Sequence, residues 1–80
     1  MNTGAKTKLV LDARDIPPRE RHPAIISLFD ALRAGECFEL VNDHDPIPLR
    51  FQFESRFPGR YAWDYLKQGP DEYRIRIARQ

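Results

Sequence analysis

The first part of the chain carries apolar residues in two patterns, which predict a strand followed by a helix. Residues 9–11 form a short aliphatic run between charged residues, which is typical of a buried strand. The charged and proline-containing stretch at residues 14–21 predicts a loop. A helix is then expected from Pro23, whose missing N–H costs nothing at the first helical position, to a C-terminal cap at Gly35. The apolar face of this helix consists of Ile25, Leu28, Phe29 and Leu32.

Alternating apolar and polar residues predict three further strands. Residues 36–42 alternate in this way and end in a polar run that stops strand pairing. The last quarter of the chain predicts a hairpin with its turn at residues 68–71. Its inward positions are Tyr61, Trp63 and Tyr65, followed by Tyr73, Ile75 and Ile77. The aromatic residues are expected to pack against the helices, and Arg74 and Arg76 would form a charged stripe on the opposite face.

Residues 46–57 fit two patterns, and spacing alone does not choose between a helix and a strand. Leu49, Phe51 and Phe53 alternate with charged and polar residues, as in a strand. Leu49 and Phe53 also share one helical face, which would leave Phe51 on the opposite side. An aspartate followed by a proline is a typical helix start, with Asp45 as the cap. Both alternatives stay open at this level.

Length and composition predict a single α+β domain. Eighty residues are enough for one domain with one core, and 41% of them are hydrophobic. Nearly every large apolar residue is needed in so small a core. Those expected at its centre are Ile25, Phe29, Leu32, Leu40 and Ile75. Residues 1–6 are polar and predict a frayed tail.

Charge and cysteine content restrict the expected partners and compartment. Thirteen basic and twelve acidic residues give a net charge of +1, which argues against a nucleic-acid partner. No apolar run is long enough to cross a bilayer and no signal-peptide pattern opens the chain, so no membrane partner is expected. Cys37 is the only cysteine and cannot form an internal disulfide, which favours a reducing, cytoplasmic location.

The order strand, helix, strand, undecided segment, strand, strand resembles that of the TusA/SirA-like sulfur carriers. Residues 11–14 (Leu-Asp-Ala-Arg), followed by Pro17, are similar to the opening motif of that superfamily. Residues 35–46, which run from Gly-Glu to Asp-Pro, resemble a second stretch of it. The resemblance implies a two-layer α/β sandwich of order β-α-β-α-β-β with a four-stranded mixed sheet.

A closer resemblance is to a bacterial family of uncharacterised domains related to those carriers, domain-of-unknown-function family 2249. Three short motifs carry it: Arg-His-Pro at residues 21–23, Asn-Asp-His-Asp-Pro at residues 42–46, and Phe-Pro-Gly-Arg at residues 57–60. The resemblance implies that residues 46–57 form a second helix. It also implies a link to hemerythrin-like partner modules or to nitrogen-oxide metabolism, and it implies no particular activity.

The chain departs from the sulfur carriers at the residue that carries their chemistry. In those proteins a catalytic cysteine opens the first helix, where the helix dipole and backbone N–H groups favour the thiolate. Pro18 occupies the corresponding position here, and a proline cannot carry a persulfide. Cys37 lies at the start of the second strand, remote from that helix end, and we interpret it as a structural residue.

Topology predicts a ligand site at the carboxyl ends of the first two strands. If these strands are parallel, the loops that follow them lie at one edge of the sheet, where open α/β sheets bind ligands. Both helices would begin at this edge, which favours an anionic ligand. The two histidines are therefore expected to be near neighbours. The candidate ligand-binding residues are Arg14, Arg21, His22, Asp43, His44 and Asp45.

Most of these residues also have a structural explanation. Asp45 and His22 occupy predicted helix caps, and Asn42 and Asp43 are common turn residues. His44 has the least structural reason to be present, because a turn does not require an imidazole. Two histidines and a carboxylate could ligate iron, zinc or copper, or the histidines a haem, but their spacing matches no metal motif. The sequence identifies no cofactor.

Three functions from different classes fit these features. The preferred hypothesis is a non-enzymatic accessory or ligand-binding domain that uses the Arg/His/Asp end and is recruited to a redox partner. The second is a sulfur-carrier-like protein with Cys37 as its thiol. The third is a protein-interaction module that uses the stripe of Arg74 and Arg76. No residue qualifies as a nucleophile with a positioned base, so the sequence does not predict an enzyme.

Overall fold

The order of elements expected from the sequence is the order that the protein adopts. The computed structural model describes residues 9–80 and has an α+β fold with two helices and a four-stranded mixed sheet. The tail predicted at residues 1–6 lies outside the described residues. The elements are β1 (Val10–Asp12), a 3-10 turn (Ala13–Asp15), α1 (Pro18–Ala31), β2 (Cys37–Asn42), α2 (Ile47–Arg56), β3 (Tyr61–Gln68) and β4 (Tyr73–Arg79). Within residues 9–80, no helix has the length and apolar character needed to cross a membrane.

The sheet places the parallel strands on one side and the hairpin on the other. Its strand order is β1-β2-β4-β3. β1 runs parallel to β2, with Asp12 opposite Val41, whereas β4 pairs antiparallel with both β2 and β3. The carboxyl ends of β1 and β2 therefore meet at one edge of the sheet, as the predicted site requires. Both helices pack on the sheet face that carries Leu40 and its register partner Ile75.

Helix α1 begins five residues earlier than predicted. Two prolines fit a first helical position, and the sequence pattern favours Pro23 because it adjoins the apolar stripe. In the structure Pro18 takes that position and Pro23 lies inside the helix, where its ring removes one backbone hydrogen bond close to the helix start. The predicted loop at residues 14–21 is therefore a 3-10 turn followed by helix, and His22 lies within α1 rather than at its cap.

Helix α1 also ends before the predicted cap. It stops at Ala31, with Leu32 as its C-cap. Gly35 has a φ of 91° and lies in the turn before β2, where its N–H donates to the carbonyl oxygen of Arg79 at 2.7 Å. The prediction that Gly35 caps the helix is wrong, because this turn into β2 is the place that needs the left-handed backbone.

The undecided segment is helix α2, as the family resemblance implied. Leu49 and Phe53 are fully buried, whereas Phe51 is 70% exposed, which is the burial pattern of a helix and not of a strand. The predicted cap by Asp45 is wrong. Pro46 occupies the cap position of α2, and no side chain caps the helix.

The core is close to the predicted one. Ile25, Phe29, Leu40 and Ile75 are buried as expected. Leu32 is only half-buried, because it lies at the C-cap of α1 and not within the helix. Leu49, Phe53, Phe38 and Ile77 complete the buried cluster together with Ala13.

An aromatic cluster joins the hairpin to both helices, as predicted. The ring centroid of Phe53 lies 5.0 Å from that of Phe29 in α1 and 5.5 Å from those of Tyr61 and Trp63 in β3. These rings meet edge to face, the arrangement that aromatic quadrupoles favour. Phe57, which follows α2, lies 4.6 Å from Phe29. Phe53 is therefore the residue through which α1, α2 and β3 are packed together.

Candidate functional site

Arg21 connects the loop after β1 to the loop after β2. Its Nε donates to the carbonyl oxygen of Ile16 at 2.8 Å, and its Nη1 lies 3.8 Å from Oδ1 of Asp43. The Arg21 side chain is largely buried, with 16% of its surface exposed. The two loops that topology predicts to be neighbours are thus joined by a guanidinium group. We call the region around Arg21 and residues 42–45 the strand-end site.

A histidine and an aspartate form the exposed part of the strand-end site. Nδ1 of His44 lies 2.6 Å from Oδ1 of Asp43. This hydrogen bond lowers the pKa of the Asp43 carboxyl, and the positive charge of Arg21 acts in the same direction. The His44 side chain is 64% exposed, so the rest of its ring faces solvent. Asp43 is therefore held as a carboxylate by a hydrogen bond with the imidazole of His44 and by the guanidinium group of Arg21.

Asn42 ends β2 with a buried polar side chain. It is 5% exposed, and its Nδ2 donates to the carbonyl oxygen of His44 at 3.1 Å. Its Oδ1 is buried and has no hydrogen-bond donor among residues 9–80. A buried amide oxygen without a donor costs free energy, so this acceptor is suited to a donor from water or from a ligand. The sequence interpretation treated Asn42 only as a turn former and missed this role.

Asp45 binds a side chain of the hairpin instead of capping α2. Its Oδ1 accepts a hydrogen bond from the Tyr65 hydroxyl at 2.7 Å. The residues at the cap positions of α1 and α2 are Pro17 and Pro46, and neither helix start receives a side-chain hydrogen bond. In these first turns Pro18 and Pro48 carry no N–H, and the N–H groups of Glu20 and Ile47 already donate to the carbonyl oxygens of Pro17 and Asp45 at 2.8 Å. No hydrogen bond within residues 9–80 engages the N–H groups of Arg19 and Leu49, so these two are left for another acceptor.

Arg14 lies in a different ion-pair cluster. Its Nε and Nη2 donate to the two carboxylate oxygens of Asp12 at 2.9 and 2.7 Å, and Nη1 lies 3.6 Å from Glu72. The paired charges lower the pKa of Asp12 and raise that of Arg14. Arg74 joins the cluster through Glu39 and Glu72. Arg14 is thus occupied by carboxylates of this chain and not directed to the loop residues.

His22 lines a groove between the two helices. The groove has a volume of about 340 Å³. We call it the interhelical groove, and its lining consists of His22, Pro23, Ile26, Ser27, Gln52 and Arg56. No hydrogen bond or ion pair found in residues 9–80 joins His22 to His44, so a ligand shared by both histidines stays a prediction. In the same part of the chain, no group of three or more His, Cys, Asp or Glu residues is placed to hold a metal ion.

Cys37 is buried at the first position of β2, which agrees with its interpretation as a small structural residue. A cavity of about 180 Å³ beside it is lined in part by Leu66 and Arg76. Of the predicted charged stripe, Arg76 is exposed, whereas Arg74 is held by Glu39 at 2.6 Å and by Glu72. The stripe therefore presents one arginine without an ion pair among residues 9–80, instead of the two expected.

Comparison with known proteins identifies a family and no activity. A model of an uncharacterised conserved protein family, DUF2249, matches residues 10–79. No curated protein and no solved structure matched the chain. None of these comparisons supports a relationship to the sulfur carriers. Because the family model matches almost the whole chain, the protein belongs to the uncharacterised conserved DUF2249 family.

Proposed function

We propose that this protein is a non-enzymatic accessory domain that binds a small anionic ligand at the strand-end site. The observation that carries the proposal is the position of Arg21, whose contacts with Ile16 and Asp43 bring the loops after β1 and β2 together. Helices α1 and α2 begin beside these loops without side-chain caps. The positive end of a helix dipole, together with the N–H groups of Arg19 and Leu49, favours an anion at such a position.

The charges of the strand-end site are compatible with an anion despite its two aspartates. Arg21 offsets the carboxylate of Asp43, which also shares a hydrogen bond with the His44 imidazole, and Asp45 is engaged by the hydroxyl of Tyr65. Only Nδ1 of the His44 ring has a partner in residues 9–80, so Nε2 is left to contact a ligand. The Asn42 amide oxygen would accept a hydrogen bond from a water molecule or from a protonated oxygen of the ligand.

The other two hypotheses have weaker support. A sulfur-carrier role would use Cys37, but this thiol is buried in a strand and lies away from the helix starts that would favour a thiolate. An interaction module would use Arg76, since Arg74 is paired within the chain. Three further ideas rest on the motif resemblance and on composition alone. They are a distant relationship to TusA/SirA-like carriers, a bacterial and cytoplasmic setting, and a hemerythrin-like or nitrogen-oxide-related partner.

The proposal is tested by calorimetric titration with inorganic phosphate. Replacing the exposed His44 by Gln is expected to leave the fold intact and to weaken phosphate binding about two- to fivefold, the effect of losing one exposed hydrogen bond. Arg76→Gln is the control, because it changes an exposed residue on the sheet face that the helices do not cover and is expected to leave the affinity unchanged. An equal loss in both variants, or no measurable binding by the parent protein, contradicts the proposal.

A further inference from the structure

The interhelical groove is a cavity of about 340 Å³ with walls from both helices. Helix α1 contributes His22, Ile26 and Ser27 to its walls, and α2 contributes Gln52 and Arg56. The spacing of these residues is helical: His22 and Ile26 are four residues apart, as are Gln52 and Arg56, so each pair lies on one helix face. The groove is thus built from two facing stripes and does not involve the strand-end residues.

The polar groups that line the groove have no partner within the described chain. Among residues 9–80, the side chains of His22, Ser27, Gln52 and Arg56 take part in none of the hydrogen bonds or ion pairs. Arg56 thus differs from the four arginines of the fold whose guanidinium groups contact aspartate or glutamate. The paired arginines are Arg14, Arg21, Arg74 and Arg79.

The lining combines positive charge with apolar surface and contains no carboxylate. Arg56 supplies a permanent positive charge, and the imidazole of His22 can supply another. Pro23 and Ile26 add apolar surface beside them. A planar guanidinium group with several donors matches a carboxylate or a phosphate. A volume of about 340 Å³ is at the lower end of the range of small-molecule pockets, so the groove is large enough for more than a bare ion.

We infer that the interhelical groove binds a small organic oxyanion, that is, a carboxylate or phosphate group attached to a short apolar body. Arg56 and His22 bind the charged group, and the Ser27 hydroxyl and Gln52 amide supply further hydrogen bonds. Pro23 and Ile26 contact the apolar body. No residue of the interhelical groove belongs to the strand-end site, so the two sites are separate. The inference therefore does not depend on whether the strand-end site binds phosphate.

The experiment uses phenyl phosphate, benzoate and inorganic phosphate as probes, with binding followed by NMR at the side-chain amide of Gln52 and the ring of His22. Phenyl phosphate or benzoate is expected to shift both signals to saturation. The probe that binds more tightly shows whether the groove prefers a phosphate or a carboxylate group. Inorganic phosphate should bind there more weakly, since it lacks the apolar body. Equal binding of inorganic phosphate and both organic probes at these signals overturns the inference.

Two pairs of variants separate local contacts from general charge effects. Arg56→Gln should weaken binding of the preferred organic probe at least about threefold, as expected for loss of a charged hydrogen bond at an exposed site. Arg76→Gln makes the same charge change on the sheet face that the helices do not cover, and it should have no effect. His22→Gln should weaken binding and His44→Gln should not. Equal effects of Arg56→Gln and Arg76→Gln overturn the inference. If the strand-end site does not bind an anion, this would be seen instead in the titration of His44→Gln with inorganic phosphate.

Discussion

Two phenylalanines two positions apart in α2 give a sharp test of the fold. Phe53 is fully buried and its ring contacts those of Phe29, Tyr61 and Trp63, so truncation to alanine removes the residue that joins both helices to β3. Loss of a buried phenyl ring with a residual cavity costs about 3–5 kcal/mol. That is a large part of the about 5–15 kcal/mol that stabilises a typical domain. Phe51→Ala is the matched control, because this ring is 70% exposed.

The assay is thermal and urea unfolding of both variants and of the parent protein. Phe53→Ala is expected to lower Tm by at least about 12 °C, since each kcal/mol corresponds to about 4–8 °C in a domain of this size. Phe51→Ala should change the free energy of unfolding by no more than about 0.5 kcal/mol, as is usual for surface positions. Similar losses in the two variants would mean that residues 47–56 bury both rings, as a strand would, and would refute the helical packing.

Two further predictions concern acid stability and the thiol. Hydrogen bonds from Arg14 and Arg74 lower the pKa values of the carboxyl groups of Asp12 and Glu72 below their ordinary 3.8 and 4.5. The stability that these ion pairs provide is fully present at a pH above the ordinary pKa values, and it is lost as the pH falls through the lowered pKa values. Tm should therefore decrease when the pH is lowered below about 4.5, and the decrease should be less steep in Asp12→Asn than in the parent protein. Identical pH profiles of the two proteins would count against the pairing. A thiol reagent should modify Cys37 slowly in the native protein and rapidly in urea, and fast native labelling would favour the sulfur-carrier alternative.

The elements were predictable where the apolar spacing had one interpretation. The alternation in the hairpin has no helical counterpart, and its strands form as expected. The apolar residues within 46–57 fit both the helical and the strand periodicity, and only the motif resemblance indicated a helix. The start of α1 was misplaced because Pro18 and Pro23 both suit a first helical position. Local pattern does not distinguish two such prolines, since the choice depends on how the preceding turn packs.

The meeting of the loops after β1 and β2 was predictable from the sequence, whereas most contacts within them were not. Parallel strands bring their following loops to one edge, so the meeting of Arg21 and Asp43 follows from topology. The bond between Asp45 and Tyr65 joins residues 20 positions apart, and no local rule anticipates it. The role of Asn42 had a signal that was overlooked: it is a polar residue in step with the inward positions of β2. The interhelical groove depends on helix packing, which spacing within one helix does not reveal.

The most direct test of the central claim is an NMR titration of the isotope-labelled protein with inorganic phosphate, at constant pH and ionic strength. The signals to follow are the ring of His44, the side-chain amide of Asn42 and the backbone amides of Arg19 and Leu49. These signals should shift together along one saturation curve, while the ring of His22 should respond only at higher phosphate concentration. Shifts that stay linear with phosphate, or that miss His44 and both helix starts, would contradict the claim that the strand-end site binds an anion.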